Sequence, residues 1–119
     1  MGIFSVPVTI RNLTPPHREH ELSLMVDTGS LFTWISAPTL EKIGVRPVGS
    51  QKFQTITGSL IERKYGYLEV GYAGHSGAMN VVFGEPGDME VLGVTALETM
   101  CVAADPVKQV LTPVVALAV

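Results

Sequence analysis

The chain has 119 residues, 46% hydrophobic and only 16% charged, with a net charge of −3. That length suits one domain, spanning 1–119, around a single core, and its charge lies below the roughly one quarter usual for soluble domains, so either a core large for the length or burial of part of the surface against a partner is expected. The acidic balance excludes a basic footprint for nucleic acid, the lone Cys101 excludes an internal disulfide framework, and no run nears the ~20 apolar residues that cross a bilayer.

In chain order, "FSVPVTI" alternates and is rich in β-branched residues, which predicts a first strand. "NLTPPHREH" is a proline-led loop, and "ELSLMV" is a second strand ending at Asp27. "FTWISA" predicts a third strand. "PTLEKIG" predicts a short helix, with Pro38 at its start and Gly44 at its cap. "KFQTITGSLIERKYGYLEV" is a long hairpin turning at Thr57-Gly58-Ser59, and "AGHSG" is the turn of the next hairpin, before "AMNVVFG". "MEVLGV" is a short buried strand, "TALETM" a second short helix, and "VAADPVKQVLTPVVALAV" returns to strand, interrupted at Asp105-Pro106. Short strands with Gly and Pro turns at this spacing predict an all-β fold, a small barrel or sandwich with one or two short helices.

Asp27 is out of keeping with its neighbours. It ends an apolar strand and is followed by Thr28, Gly29 and Ser30, then Leu31, Phe32, Trp34 and Ile35. An unpaired carboxylate in apolar surroundings is costly, because desolvation opposes its ionised form. An Asx-turn with Gly29 is the bland explanation. Chemistry shared with a second acid is the sharper one.

The ordered set "VDTGS", then the glycine hairpin "ITGSL", then "VLGV" followed by "TALETM", resembles the retropepsin-like aspartic proteases from about Val6 to Val102. The resemblance implies a small closed β-barrel, active as a homodimer that hydrolyses peptides or unfolded protein without metal or cofactor. Asp27 is then the catalytic acid, in an active-site loop with Thr28, Gly29 and Ser30. The Thr28 hydroxyl reaches the partner subunit's backbone, Gly29 leaves room for the opposing loop and substrate, and Ser30 lies beside the dyad. Thr57, Gly58, Ser59 and Leu60 form a flap, and Leu31, Phe32 and Trp34 are candidates for the binding subsites. Leu92, Gly93 and Val94 form the second loop. Met1 to Val8 and the tail from Leu111 are the segments that would pair across the dimer.

The chemistry needs two carboxylates, one to take a proton from water and one to polarise the scissile carbonyl. Of three aspartates, only Asp27 has the Thr-Gly context; Asp88 and Asp105 read as solvated loop acids. One acid per chain therefore requires a symmetric dimer. The sequence departs from retroviral members in three places. Leu31 and Val94 stand where an aspartate and an arginine form an ion pair, and the flap has one glycine. Joint replacement of a buried pair by apolar residues is often neutral. The alternative is a non-cleaving binding or dimerisation module on the same fold.

Other polar residues have blander readings. His17 and His20 read as a solvated loop and His75 as a turn, without the further ligands a metal needs. Cys101 reads as a small buried hydrophobe. Tyr65, Tyr67 and Tyr72 read as strand surface, and Glu62-Arg63-Lys64 as a solvated face. Ser30 lacks the following glycine of a nucleophile elbow. The N-terminus lacks the basic start and apolar run of a signal peptide, so a cytoplasmic location is expected.

Overall fold

Period-two burial builds the first strand, β1 (Ser5–Arg11): Val6, Val8 and Ile10 are buried while Ser5 and Pro7 are exposed. It pairs antiparallel with β2 (Glu19–Val26), in register from Ser5 opposite Met25 to Arg11 opposite Glu19. The computed structural model describes residues 3–116 and 118. Part of the expected dimer-pairing termini, residues 1, 2, 117 and 119, lies outside them.

The remaining elements are β3 (Trp34–Ser36), α1 (Ala37–Lys42), β4 (Gly49–Gln54), β5 (Leu60–Tyr72), β6 (His75–Gly84), β7 (Val91–Leu92), α2 (Val94–Met100), β8 (Val102–Asp105) and β9 (Val110–Pro113). The fold is predominantly β with two short helices, as expected. Six strands form a hydrogen-bonded ring in the order β1-β2-β7-β3-β6-β5, returned to β1 by pairing of Thr9–Arg11 with Glu69–Gly71, and β4 extends from β5. The β2–β7 and β3–β6 pairs are parallel, and the other ring pairs are antiparallel. β8 and β9 form a separate two-stranded sheet.

The core runs through the ring. Ile10, Leu24, Ile35, Leu40, Leu68, Val70, Val81 and Leu92 are almost completely buried, and α2 adds Ala96, Leu97 and Met100 from one face. α1 begins with proline in its first turn, and Gly44 just beyond it takes φ +80°, as its sequence predicts.

Several local expectations are corrected. The β5–β6 turn is only Ala73-Gly74, both at positive φ, so His75 opens a strand and is not in the turn. "MEVLGV" contributes just Val91–Leu92 as strand, because Met89 and Glu90 belong to the loop before it. Cys101 is exposed: it caps α2 at φ 56°, and Met100 takes the core position. Tyr72 packs against the core and its hydroxyl accepts from Leu111 N–H at 3.4 Å, whereas Tyr67 is exposed. Among the described residues, no helix is long and apolar enough to cross a membrane.

Candidate active site

Strand alternation decides where the Asp27 carboxylate goes. Leu24 and Val26 point into the core, so the next residue is carried out of it, and Asp27 is half-buried at the end of β2. Its N–H donates to Leu92 O at 3.0 Å, which extends the parallel β2–β7 pairing by one rung. Its Oδ1 accepts from Gly29 N–H at 2.9 Å, and its carbonyl accepts from Ser30 N–H at 3.1 Å. The acid thus sits in an Asx-turn, with one oxygen held and the other carrying no hydrogen bond among the described residues. Thr28 and Gly29 are exposed beside it. The Ser30 hydroxyl donates to Phe32 O at 2.8 Å rather than to the carboxylate.

The Asp27 loop and the segment around Gly93 are strapped together. Val94 N–H donates to Ser30 O at 2.8 Å, Thr95 N–H to Leu31 O at 3.1 Å, and Gly93 N–H to the Thr33 hydroxyl at 2.9 Å. α2 lacks a side-chain cap, so these carbonyls satisfy N–H groups its first turn leaves open. Gly93 is required by contact: a Cβ there would lie 2.3 Å from Phe32 O. Leu92 is fully buried behind the strap, and Val94 is half-buried.

Thr33 was not singled out by its sequence, yet it is the one buried polar side chain among the described residues. Thr33→Val replaces its acceptor by a methyl and leaves Gly93 N–H buried and unpaired. We expect a loss of about 1–3 kcal/mol in chemical denaturation, with Thr33→Ser recovering most of it. Equal stability of the valine variant would show that this rung carries no weight.

The β4–β5 hairpin stands next to this loop. Its tip is closed by Gly58 N–H to Thr55 O at 2.9 Å and Thr55 N–H to Ser59 O at 2.8 Å, with Gly58 at φ +89°. Thr57, Gly58, Ser59 and Leu60 are all exposed, and so is Ile56, which opens the same "ITGSL" tip. The hairpin stem is tied to the segment after Asp27 by Phe53, whose ring centroid lies 5.4 Å from Phe32 and 4.9 Å from Trp34. Leu31 is 58% exposed.

An open groove of about 240 Å³ lies at the carboxylate, lined by Asp27, Trp34, Asp88, Met89 and Val91. Of the expected subsite residues, only Trp34 reaches it. Asp88 is not a solvated loop acid. Its carboxylate takes a two-point contact from Arg63, Nε to Oδ2 at 2.7 Å and Nη2 to Oδ1 at 3.0 Å, and accepts from Glu85 N–H. Arg63, in turn, leaves the solvated run assigned to it; both side chains are largely buried. This pair ties β5, the strand of the hairpin, to the loop that walls the groove.

The Arg63 hydrogen bond holds the Asp88 carboxyl below its ordinary range. A carboxyl lowered in the folded state stabilises fully above its unfolded value of 3.8, and that contribution disappears as pH falls through the folded value. Asp88→Asn should therefore cost about 1–3 kcal/mol at neutral pH. It should also flatten the loss of stability of the wild type below pH 3.8. Parallel acid limbs in thermal melts of the two proteins would refute that linkage.

Asp105 accepts from Val107 and Lys108 N–H groups in the β8–β9 turn, remote from Asp27 in the chain and absent from the groove. His17 lies in the β1–β2 loop with Nδ1 3.1 Å from Asn12 O. No family model matches the chain, and no curated protein matches it.

Proposed function

We propose that the protein is an aspartic endopeptidase of retropepsin type, working as a symmetric homodimer in which each chain supplies Asp27. The observation that carries this reading is the half-buried Asp27 carboxylate, held on one oxygen by Gly29 N–H at 2.9 Å, at the mouth of an open groove beside a hairpin. The ring of strands around one core is the arrangement a small closed barrel of that type requires.

One carboxylate is half of the machinery. Across the two-fold axis, two Asp27 side chains about 3 Å apart cannot both ionise, so they share a proton, as in the aspartic-protease dyads from which that rule is drawn. The ionised member takes a proton from a water, whose oxygen attacks the scissile carbonyl carbon. The protonated member gives its proton to the carbonyl oxygen. Collapse of the tetrahedral adduct breaks the C–N bond as the nitrogen takes up a proton, and the products are a carboxylic acid and an amine.

The partner also explains Thr28, which is exposed next to the acid and free to reach the opposing loop. Leu31 and Val94 replace an ion pair by apolar contact, which suits an apolar interface. The exposed tip from Ile56 to Leu60 closes over an extended peptide, bound strand-like.

Mixing tests the shared dyad. Wild type is combined with increasing Asp27→Asn protein at fixed total concentration and allowed to exchange, and cleavage of denatured proteins is followed between about pH 4 and 8. Activity should fall as the square of the wild-type fraction, since only dimers with two aspartates cut. A linear fall would refute the shared site. A wild-type dimer that cuts nothing would transfer the fold to the non-cleaving module.

A further inference from the structure

A second groove lies at the opposite end of β1 and β2. The strands run from Met25, two residues before Asp27, to Glu19 and Arg11, which places this end roughly 25 Å from the acid. The 12–18 loop, the segment after α1 and Tyr67 of β5 enclose about 430 Å³ of open space. Its apolar surface includes Leu13, Val48 and Tyr67, which are 42%, 63% and 50% exposed.

Its charge opposes that of the chain. Arg18 and Arg46 line the groove, no acidic residue does, and the protein carries −3 as a whole. Among the described residues neither arginine is in an ion pair, while nearby Glu19 and Glu69 are both engaged by Arg11. The walls are built in advance. Asn12 Nδ2 donates to Ile43 O at 2.8 Å, Asn12 Oδ1 accepts from Thr14 N–H, and Asn12 N–H donates to Arg18 O at 2.9 Å. The Tyr67 ring rests edge-on against Tyr65 at 6.1 Å.

We propose that this groove docks an extended acidic peptide segment, whose carboxylates meet Arg18 and Arg46 and whose intervening apolar side chains lie on Leu13, Val48 and Tyr67. Two free guanidiniums set in an apolar, proline-edged trough match a short acidic and apolar segment. A nucleic acid would need a longer series of phosphate contacts than two arginines on an acidic protein supply. Nothing in this assignment depends on the chemistry of Asp27, so either stands if the other fails.

The test is fluorescence anisotropy with a labelled peptide of about eight residues alternating Glu and Leu, on the full chain carrying Asp27→Asn so that no probe is cut. Three comparisons accompany it: the same peptide with Gln for Glu, one with Gly for Leu, and a single-stranded RNA oligonucleotide. The Glu–Leu peptide should bind, and Arg18→Glu/Arg46→Glu should weaken it about tenfold or more. The Gln and Gly peptides should each bind several-fold more weakly, and added salt should weaken the Glu–Leu peptide. Both arginine side chains are exposed and, among the described residues, in no ion pair, so the double variant should melt as its parent does. The assignment is overturned if the Glu–Leu peptide does not bind, if the Gln peptide or the reversed groove binds equally well, or if the RNA binds more tightly than the peptide.

Discussion

On the proposed dyad, Asp27→Asn should lower peptide cleavage by about a thousandfold or more while leaving folding and the proposed dimer intact. The substitution keeps the shape of the side chain. Asn Oδ1 still accepts from Gly29 N–H, so the turn that holds Asp27 at 2.9 Å persists. The amide has no basic oxygen to take a proton from water and no acidic proton to give the carbonyl. Because the backbone N–H of residue 27 bonds Leu92 O whatever the side chain, the pairing with β7 is untouched. The measurement is cleavage of denatured protein by each variant, with thermal melts and sedimentation in parallel. Cleavage that survives in the variant would remove Asp27 from the chemistry.

Gly93→Ala should be the most damaging single methyl in the site, at about 3 kcal/mol or more. The added Cβ would fall 2.3 Å from Phe32 O, 2.6 Å from Phe32 C and 2.9 Å from Ser30 O, all of them backbone atoms that no rotamer change can move. Relief requires the two loops to part. That would break the bonds from Val94 N–H to Ser30 O and from Thr95 N–H to Leu31 O, and would displace Asp27 through its own bond to Leu92. Gly58→Ala is the control. It has nothing within 4 Å of its added Cβ, and its cost is the strain of φ +89°, about 1–2 kcal/mol. Urea denaturation of both variants checks the ranking. Equal midpoints would mean that the strap yields at no more than the cost of the strained turn at Gly58.

Much of the strand framework was legible because its signals are local. Val6, Val8 and Ile10 alternate with polar or exposed neighbours, and period two needs no partner to be read. Gly58 marked its hairpin turn, and Pro38 and Gly44 bracketed α1, because each answers a backbone demand within a few residues. The Asp27-Thr28-Gly29 turn was legible for the same reason, and the bond from Gly29 to Asp27 spans two residues.

What was misread depends on contacts distant along the chain. Asp88 and Arg63 are 25 residues apart, so each looked solvated until the hairpin strand and the groove loop met. Thr33 and Gly93 are 60 residues apart, and nothing near either predicts their bond. Phe53 was an ordinary strand residue until its ring met Phe32 and Trp34. Cys101 was misplaced because burial follows the helix that precedes it: Met100 completes the apolar face, and the next residue turns left-handed into solvent.

By itself, then, the sequence determined a β-rich chain with short helices at two places, its hairpins, and one acid in a glycine turn. These follow from side-chain periodicity and from backbone conformations that few residues tolerate. Tertiary structure alone decided that β1 meets β5 to complete the ring, that Gly93 passes against the backbone of Ser30 and Phe32 with no room for a methyl, and that Arg63 holds the groove wall through Asp88. Those features arise from packing and hydrogen bonding between segments distant in the chain, where each residue's environment is set by what the fold brings against it.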